Sequence, residues 1–277
     1  MAIESAVYRV SASTPRESDE QVHWTVALAG RDGSRPEHEL ARLNQVTPAS
    51  RTFTVIGAGH RAHETQLADV SDHVLRQPSS RDTGLPLYVA LSMIKRWTPN
   101  ATVTITPTDH HVDPSARYLD HVQVARGVAT RVRDRVVILG VPPRAPDPEL
   151  SYVSVGGQLA EVPEARRVVG YHEKPSVECA EALIRAGSVW NTMVAFGTVE
   201  ALWSLGRLAV PHLLGILDSF VPLVGTADES EAIEYIYRAY LPVSFSSDML
   251  VRTPQRLAVV ELRGVDWSGG GRAGAPA

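Results

Sequence analysis

The chain has 277 residues, 27 Lys and Arg against 31 Asp and Glu, a net charge of −4 and a pI near 6.2, which exclude a sequence-wide nucleic-acid or polyanion binder. An apolar fraction of 44% can fill the core of one large α/β domain or two modest ones. The single cysteine, Cys179, excludes an intrachain disulfide and a thiolate zinc cluster, and the ten histidines are too scattered for a histidine metal centre. No apolar run approaches the length of a membrane span and Met1-Ala-Ile-Glu-Ser is not a signal pattern, so a cytoplasmic protein without nucleic-acid or membrane partners is expected.

Residues 1–22 are polar and charged and read as a loosely attached arm. Strands are expected at 24–29, 51–56 and 73–77, with helices at 39–46 and 60–70 between them. A helix starting near Pro86 and ending near Trp97 leads to Thr102-Val-Thr-Ile-Thr-Pro107, a β-branched alternation that Pro107 terminates. A long helix at 116–131 and the apolar strand 135–140 complete a strand–helix alternation that implies a mostly parallel sheet flanked by helices. The rhythm changes at Pro142, Pro143, Pro146 and Pro148. Beyond them are a strand at 151–155, a Gly156-Gly157 turn, a strand at 166–172, a helix at 177–186 and a strand at 189–197. Residues 199–240 are helical in pattern, interrupted at Pro211 and Pro222, and a last strand spans 256–262. The globular part is read as one domain over 23–271, with halves 23–141 and 142–271 and a short tail at 272–277.

Four places could carry chemistry. Asp109 falls just past the carboxyl end of the central strand, where ligands of open α/β sheets bind; it either holds a hard cation or caps the following helix. Leu28-Ala-Gly-Arg-Asp-Gly-Ser-Arg35 is either a phosphate-binding turn, with backbone N–H groups exposed by Gly30 and Gly33, or a plain polar turn. Glu173-Lys174-Pro175 either presents an ammonium to a phosphate or simply begins a helix; as an isolated tripeptide the second reading prevails. Asn191, on an otherwise apolar strand, either faces a cleft or satisfies a neighbouring loop.

Taken in order, the Leu-Ala-Gly-x-x-Gly-Ser-Arg turn, Arg81-Asp-Thr, Pro107-x-Asp109-His110, Glu173-Lys-Pro, Trp190-Asn-Thr and Asp266-Trp-Ser-Gly resemble the sugar-nucleotide pyrophosphorylases, in particular the mannose-1-phosphate guanylyltransferase branch, over about residues 22–271. The resemblance implies a Rossmann-like nucleotidyltransferase fold. It also implies that a sugar-1-phosphate attacks a nucleoside triphosphate, GTP and mannose-1-phosphate in this branch, with loss of pyrophosphate. By the same resemblance Leu28, Ala29, Gly30, Gly33, Ser34, Arg35 and Arg81 belong to the nucleotide, while Glu149, Glu173, Lys174 and Asn191 face the sugar phosphate. Asp109 is assigned to Mg²⁺, and Arg35, Asp109 and Lys174 to catalysis.

The chain departs from the family pattern at several points. No lysine precedes Lys95, so the family's phosphate lysine after the glycine turn is missing. Trp267-Ser-Gly269 stands where the family carries Trp-Ser-Asp, Ser151 replaces a glycine, and Arg31 replaces another. Two functions therefore compete. One is an Mg²⁺-dependent transferase forming an NDP-sugar; the other is a catalytically impaired homologue that binds nucleotide or sugar nucleotide as a regulatory subunit, with a homo-oligomer or partner subunit left open.

Overall fold

The computed structural model describes residues 8–10, 22–29, 36–57, 67 and 69–270. The first half contains β1 (Tyr8–Val10), β2 (His23–Leu28), α1 (Pro36–Leu43), β3 (Thr52–Ile56), β4 (His73–Arg76) and α2 (Gly84–Trp97). It continues with β5 (Thr102–Pro107), β6 (His111–Asp113), α3 (Ser115–Arg131) and β7 (Val136–Val141). The second half contains β8 (Tyr152–Leu159), β9 (Val162–His172), α4 (Val177–Arg185), β10 (Val189–Thr198), α5 (Val199–Ala209) and α6 (Pro211–Phe220). It ends with α7 (Glu229–Ala239), β11 (Leu257–Glu261) and β12 (Asp266–Ser268).

Ten strands form one sheet in the order β1-β4-β3-β2-β5-β10-β7-β11-β9-β8, and β6 with β12 makes a separate two-stranded ribbon. Strands β4, β3, β2, β5, β7 and β11 share one direction, with β10 reversed between β5 and β7. This is the mixed α/β fold with a largely parallel core that the alternation of elements implies. Strand β8 pairs with β9 along its length and also meets β10 through Tyr152 and Val153.

The period of two sorts each central strand onto two cores. On β7, Val136 and Ile138 join the cluster under α2, α5 and α6, while Val137, Leu139 and Val141 join the cluster under α3. On β11, Leu257 and Val259 face the first cluster and Ala258 and Val260 the second. That two-sided burial is why these strands read as continuous apolar runs. Gly140 on β7 is needed where β10 crosses, since a Cβ there would meet Val189 Cγ2 at 2.4 Å.

Several expectations shift. Tyr8–Val10, inside the segment read as an arm, forms an edge strand antiparallel to β4. The first helix begins at Pro36 rather than 39, because the fixed φ of proline suits the first helical turn. Most of the helix expected at 60–70 lies outside the described residues. Gly156-Gly157 is not a turn. Val155 pairs with Val168 and Gln158 with Arg166, so the two glycines stand opposite one residue as a β-bulge inside β8. Sequence alone cannot separate these cases, since both use glycine. No helix among the described residues is long and apolar enough to cross a membrane.

Two histidines, the half-buried His23 and the core residue His73, are held as neutral rings. Burial, with Arg126 and Arg51 nearby, pushes His23 down to about 4. His73 is also lowered by burial and stacks on Phe53, ring centroids 4.9 Å apart, between Trp24 and Trp97. A depressed folded-state pKa means that unfolding takes up protons; the stability these rings contribute is full above about 6.5 and lost as pH falls towards 4. Urea unfolding at pH 7, 5.5 and 4.5 should give falling midpoints, and His23→Gln should flatten the trend. Equal slopes for the two proteins would exclude His23 as a source.

Candidate active site

Every group of the site hangs from a strand end. Strands β2 and β5 finish side by side, Leu28 opposite Pro107, so the chain leaves Ala29 beside the exit of β5. Immediately beyond Pro107, Asp109 sits in a bend ahead of β6. The β6–β12 ribbon pairs His111 with Ser268, Val112 with Trp267 and Asp113 with Asp266. It thereby brings the 269–270 segment alongside Asp109, whose Oδ2 lies 3.1 Å from where a Cβ on Gly270 would stand.

This geometry overturns the capping alternative for Asp109. Helix α3 starts only at Ser115, its N-cap residue is Pro114, and no side chain caps it. Asp109 is half-buried, and no hydrogen bond or ion pair ties its carboxylate among the described residues. Mg²⁺ keeps several waters and is commonly held by one or two carboxylates plus substrate phosphates, so a single uncommitted carboxylate suits it. Among the described residues no group of three or more His, Cys, Asp or Glu could hold a metal by protein ligands alone.

Beside Asp109 opens a cleft of about 420 Å³, lined by Arg144, Asp147, Glu149, Leu150, Trp190 and the 266–270 segment. Its floor is aromatic, with Trp190 and Trp267 ring centroids 6.5 Å apart. Its rim is charged. Arg144 donates to Asp266 Oδ1 at 2.7 Å, and Lys174 Nζ lies 3.5 Å from Glu149 Oε2, with both of those side chains more than half exposed. An apolar floor with carboxylate acceptors around it suits a polyhydroxylated ligand.

Behind this cleft runs a buried polar chain. Glu173 Oε2 accepts hydrogen bonds from the Ser151 and Ser246 hydroxyls. Ser246, on the π-helical turn Phe245–Leu250, also meets the Tyr171 hydroxyl at 2.7 Å. Asn191 donates through Nδ2 to that hydroxyl at 2.6 Å, and its Oδ1 accepts from the Met193 N–H at 3.1 Å. Burial pushes the Tyr171 phenol up to about 12, so it stays a neutral donor and acceptor. Met193 adopts φ +63 in the bulge of β10, and Thr192 stitches the same bulge to the Leu139 carbonyl. Asn191 is 3% exposed and does not face the cleft; its amide satisfies the Tyr171 hydroxyl of β9 and the Met193 N–H of its own bulge rather than a neighbouring loop.

Of the remaining expected site residues, Gly30, Gly33, Ser34 and Arg35 lie outside the described residues. Leu28 and Ala29 stand half-buried at the end of β2. Arg81 is away from the cleft residues in its bonding: its Nε donates to the Tyr237 carbonyl at 2.9 Å, and its own carbonyl accepts from Val243. The residues that sequence reading missed are Tyr171, Ser246, Asp147 and Arg144 in and behind the cleft, and Glu39 behind Asp109. Glu39 offers no local signal, since a glutamate in an amphipathic helix ordinarily faces solvent.

No protein-family model matches the sequence, and no curated protein sequence matches it either. Solved structures do match the fold. A mannose-1-phosphate geranyltransferase from Thermus thermophilus superposes with a TM-score of 0.76 at 22% identity, over 89% of this chain and 75% of that one. A mannose-6-phosphate isomerase from Helicobacter pylori superposes with a TM-score of 0.67 at 14% identity, over 89% of this chain and all of the other. The chain thus shares the fold of these two structures over 89% of its length.

If Asn191 acts as a clamp, Asn191→Leu should lower unfolding stability by about 1–3 kcal/mol, the cost of leaving buried polar partners unsatisfied. Denaturant unfolding measures this directly. An unchanged midpoint would return Asn191 to the role of a ligand contact.

Proposed function

We propose that the cleft beside Asp109 transfers a nucleotidyl group: an oxygen of a sugar-1-phosphate attacks the α-phosphorus of a nucleoside triphosphate, the bond to the β-phosphate oxygen breaks, and pyrophosphate leaves with that electron pair. The observation carrying this reading is the Asp109 carboxylate, untied among the described residues, at the exit of the central strand and beside a cleft with an aromatic floor. Phosphoryl chemistry asks mainly for alignment and charge neutralisation, which strand-end loops supply without a covalent intermediate. When bound, Mg²⁺ would neutralise the triphosphate oxygens.

In this reading, residues 23–141 form the nucleotide half and 142–271 the sugar half. Asp109 holds the metal, and Leu28 to Arg35 border the triphosphate. Glu149 and Lys174 at the rim and Trp190 on the floor orient the sugar phosphate, with Glu173 and Asn191 supporting them from behind. GTP and mannose-1-phosphate are the proposed pair, supported by the sequence resemblance and by the sugar phosphate in the name of the Thermus neighbour. The protein is read as cytoplasmic.

One observation favours a second reading, binding without turnover. The segment that the ribbon holds against Asp109 presents Gly269 and Gly270 rather than a second carboxylate, and Asp266 is tied to Arg144.

Pyrophosphate release with Mg²⁺, across nucleoside triphosphates and hexose-1-phosphates, separates the two. Release requiring both substrates, and falling by roughly 10²–10³ in Asp109→Asn, is expected for the transferase. Saturable nucleotide binding without release would establish the binding subunit. Equal release by wild type and Asp109→Asn would overturn Asp109 as the metal carboxylate.

A further inference from the structure

We propose that Glu39 and His110 form a buried positioning pair that locks the turn carrying Asp109 to helix α1. The proposal rests on the reading of Asp109 as the metal carboxylate and adds what holds that carboxylate in place.

The pair is out of water: the Glu39 and His110 side chains are 2% and 1% exposed, and His110 Nε2 lies 3.1 Å from Glu39 Oε1. The contact is a close approach without the in-line geometry of a hydrogen bond, and neither ring nitrogen has a hydrogen-bond partner among the described residues. A buried carboxylate is tolerated only where several donors serve it. Here the donors come from separate elements. Arg42 of α1 pairs with Oε2 at 2.5 Å, while Tyr118 of α3 and Thr106 of β5 reach Oε1 at 3.3 and 3.5 Å. Tyr118 also meets the His110 ring edge-on, centroids 5.7 Å apart at 87°.

Packing does not require a charge at this place. On the same helix, Leu40 and Leu43 are the residues that fill the apolar clusters. What Glu39 adds is direction, because a carboxylate fixes its donors more narrowly than an apolar contact does. His110 follows Asp109 in the chain, and on this bend the one side chain is buried while the other is half-exposed. Anchoring His110 therefore sets the backbone from which Asp109 projects. It also joins that backbone to α1, the helix that continues from Arg35. His110 is a positioning residue, acting through Asp109.

The test compares wild type with His110→Phe, which has no polar group, and His110→Asn, whose amide is too short to reach Glu39 from the Nε2 position, and with His110→Gln, whose longer amide can reach it. Hydrogen exchange of amides 108–111 and 38–43 should rise at least tenfold in the Phe and Asn variants and return towards wild type in Gln, with β7 and β11 unchanged. Calorimetric GTP binding should weaken at least tenfold with Mg²⁺ in His110→Phe, stay equal without Mg²⁺, and recover in His110→Gln. Unaltered exchange in both His110→Phe and His110→Asn, or exchange raised equally across the sheet, would overturn the pair. Wild-type protein showing no Mg²⁺-dependent GTP binding, while exchange behaves as expected, would overturn the functional reading and uphold the pair.

Discussion

The structure depends on one strand running against its neighbours. β10 lies antiparallel between β5 and β7, so the parallel core on each side is bonded through it. Its register holds from Phe196 to Ala195 and then breaks before Asn191, and the break aims the end of the strand at the cleft. The cost of that break is a run of backbone and side-chain polar groups without ladder partners. Asn191, Thr192 and Tyr171 satisfy them internally, and Ser246 extends the arrangement to a distant turn. A buried amide that lost these partners would be expensive, which makes the bulge a fixed part of the scaffold rather than a flexible joint.

The site is therefore mounted on two rigid supports of different kinds. On the β8–β9 side, the Ser151 and Ser246 hydroxyls bonded to Glu173 hold the wall of the cleft. On the Asp109 side, the buried carboxyl of Glu39 gathers donors from α1, β5 and α3. Between them the groups that would touch ligand, Lys174, Glu149 and Arg144, are exposed and paired only at the surface, where ion pairs are weak and readily exchanged for a ligand's charges.

Much of the fold was legible because its central strands are buried on both faces and show it, as in Val136–Val141 and Thr102–Pro107. The position of Asp109 at a strand end was legible for the same reason, once Pro107 marked the stop. What Asp109 does there was not, because the three-residue strand β6 that separates it from helix α3 is too short to carry a periodic signal. Gly156-Gly157 could be read as turn or bulge, and only the partner strand decides. Tyr171 and Ser246 meet across 75 positions of sequence, a separation at which no local pattern exists. Glu39 was invisible for the related reason that, Arg42 apart, the groups that meet it belong to elements far along the chain.

The double pairing of β8 has a consequence for how the cleft adapts. Strands β10, β7, β11, β9 and β8 form a closed circuit, and the circuit closes through Val189 with Val153 and Trp190 with Tyr152, extended by the Asn191 N–H donating to the Ser151 carbonyl at 2.9 Å. The clasp sits at Trp190, on the cleft floor. Opening this short seam would widen the cleft at Trp190 while leaving the parallel strands bonded, so the cleft's breadth is set by a far smaller free energy than the one that keeps the domain folded.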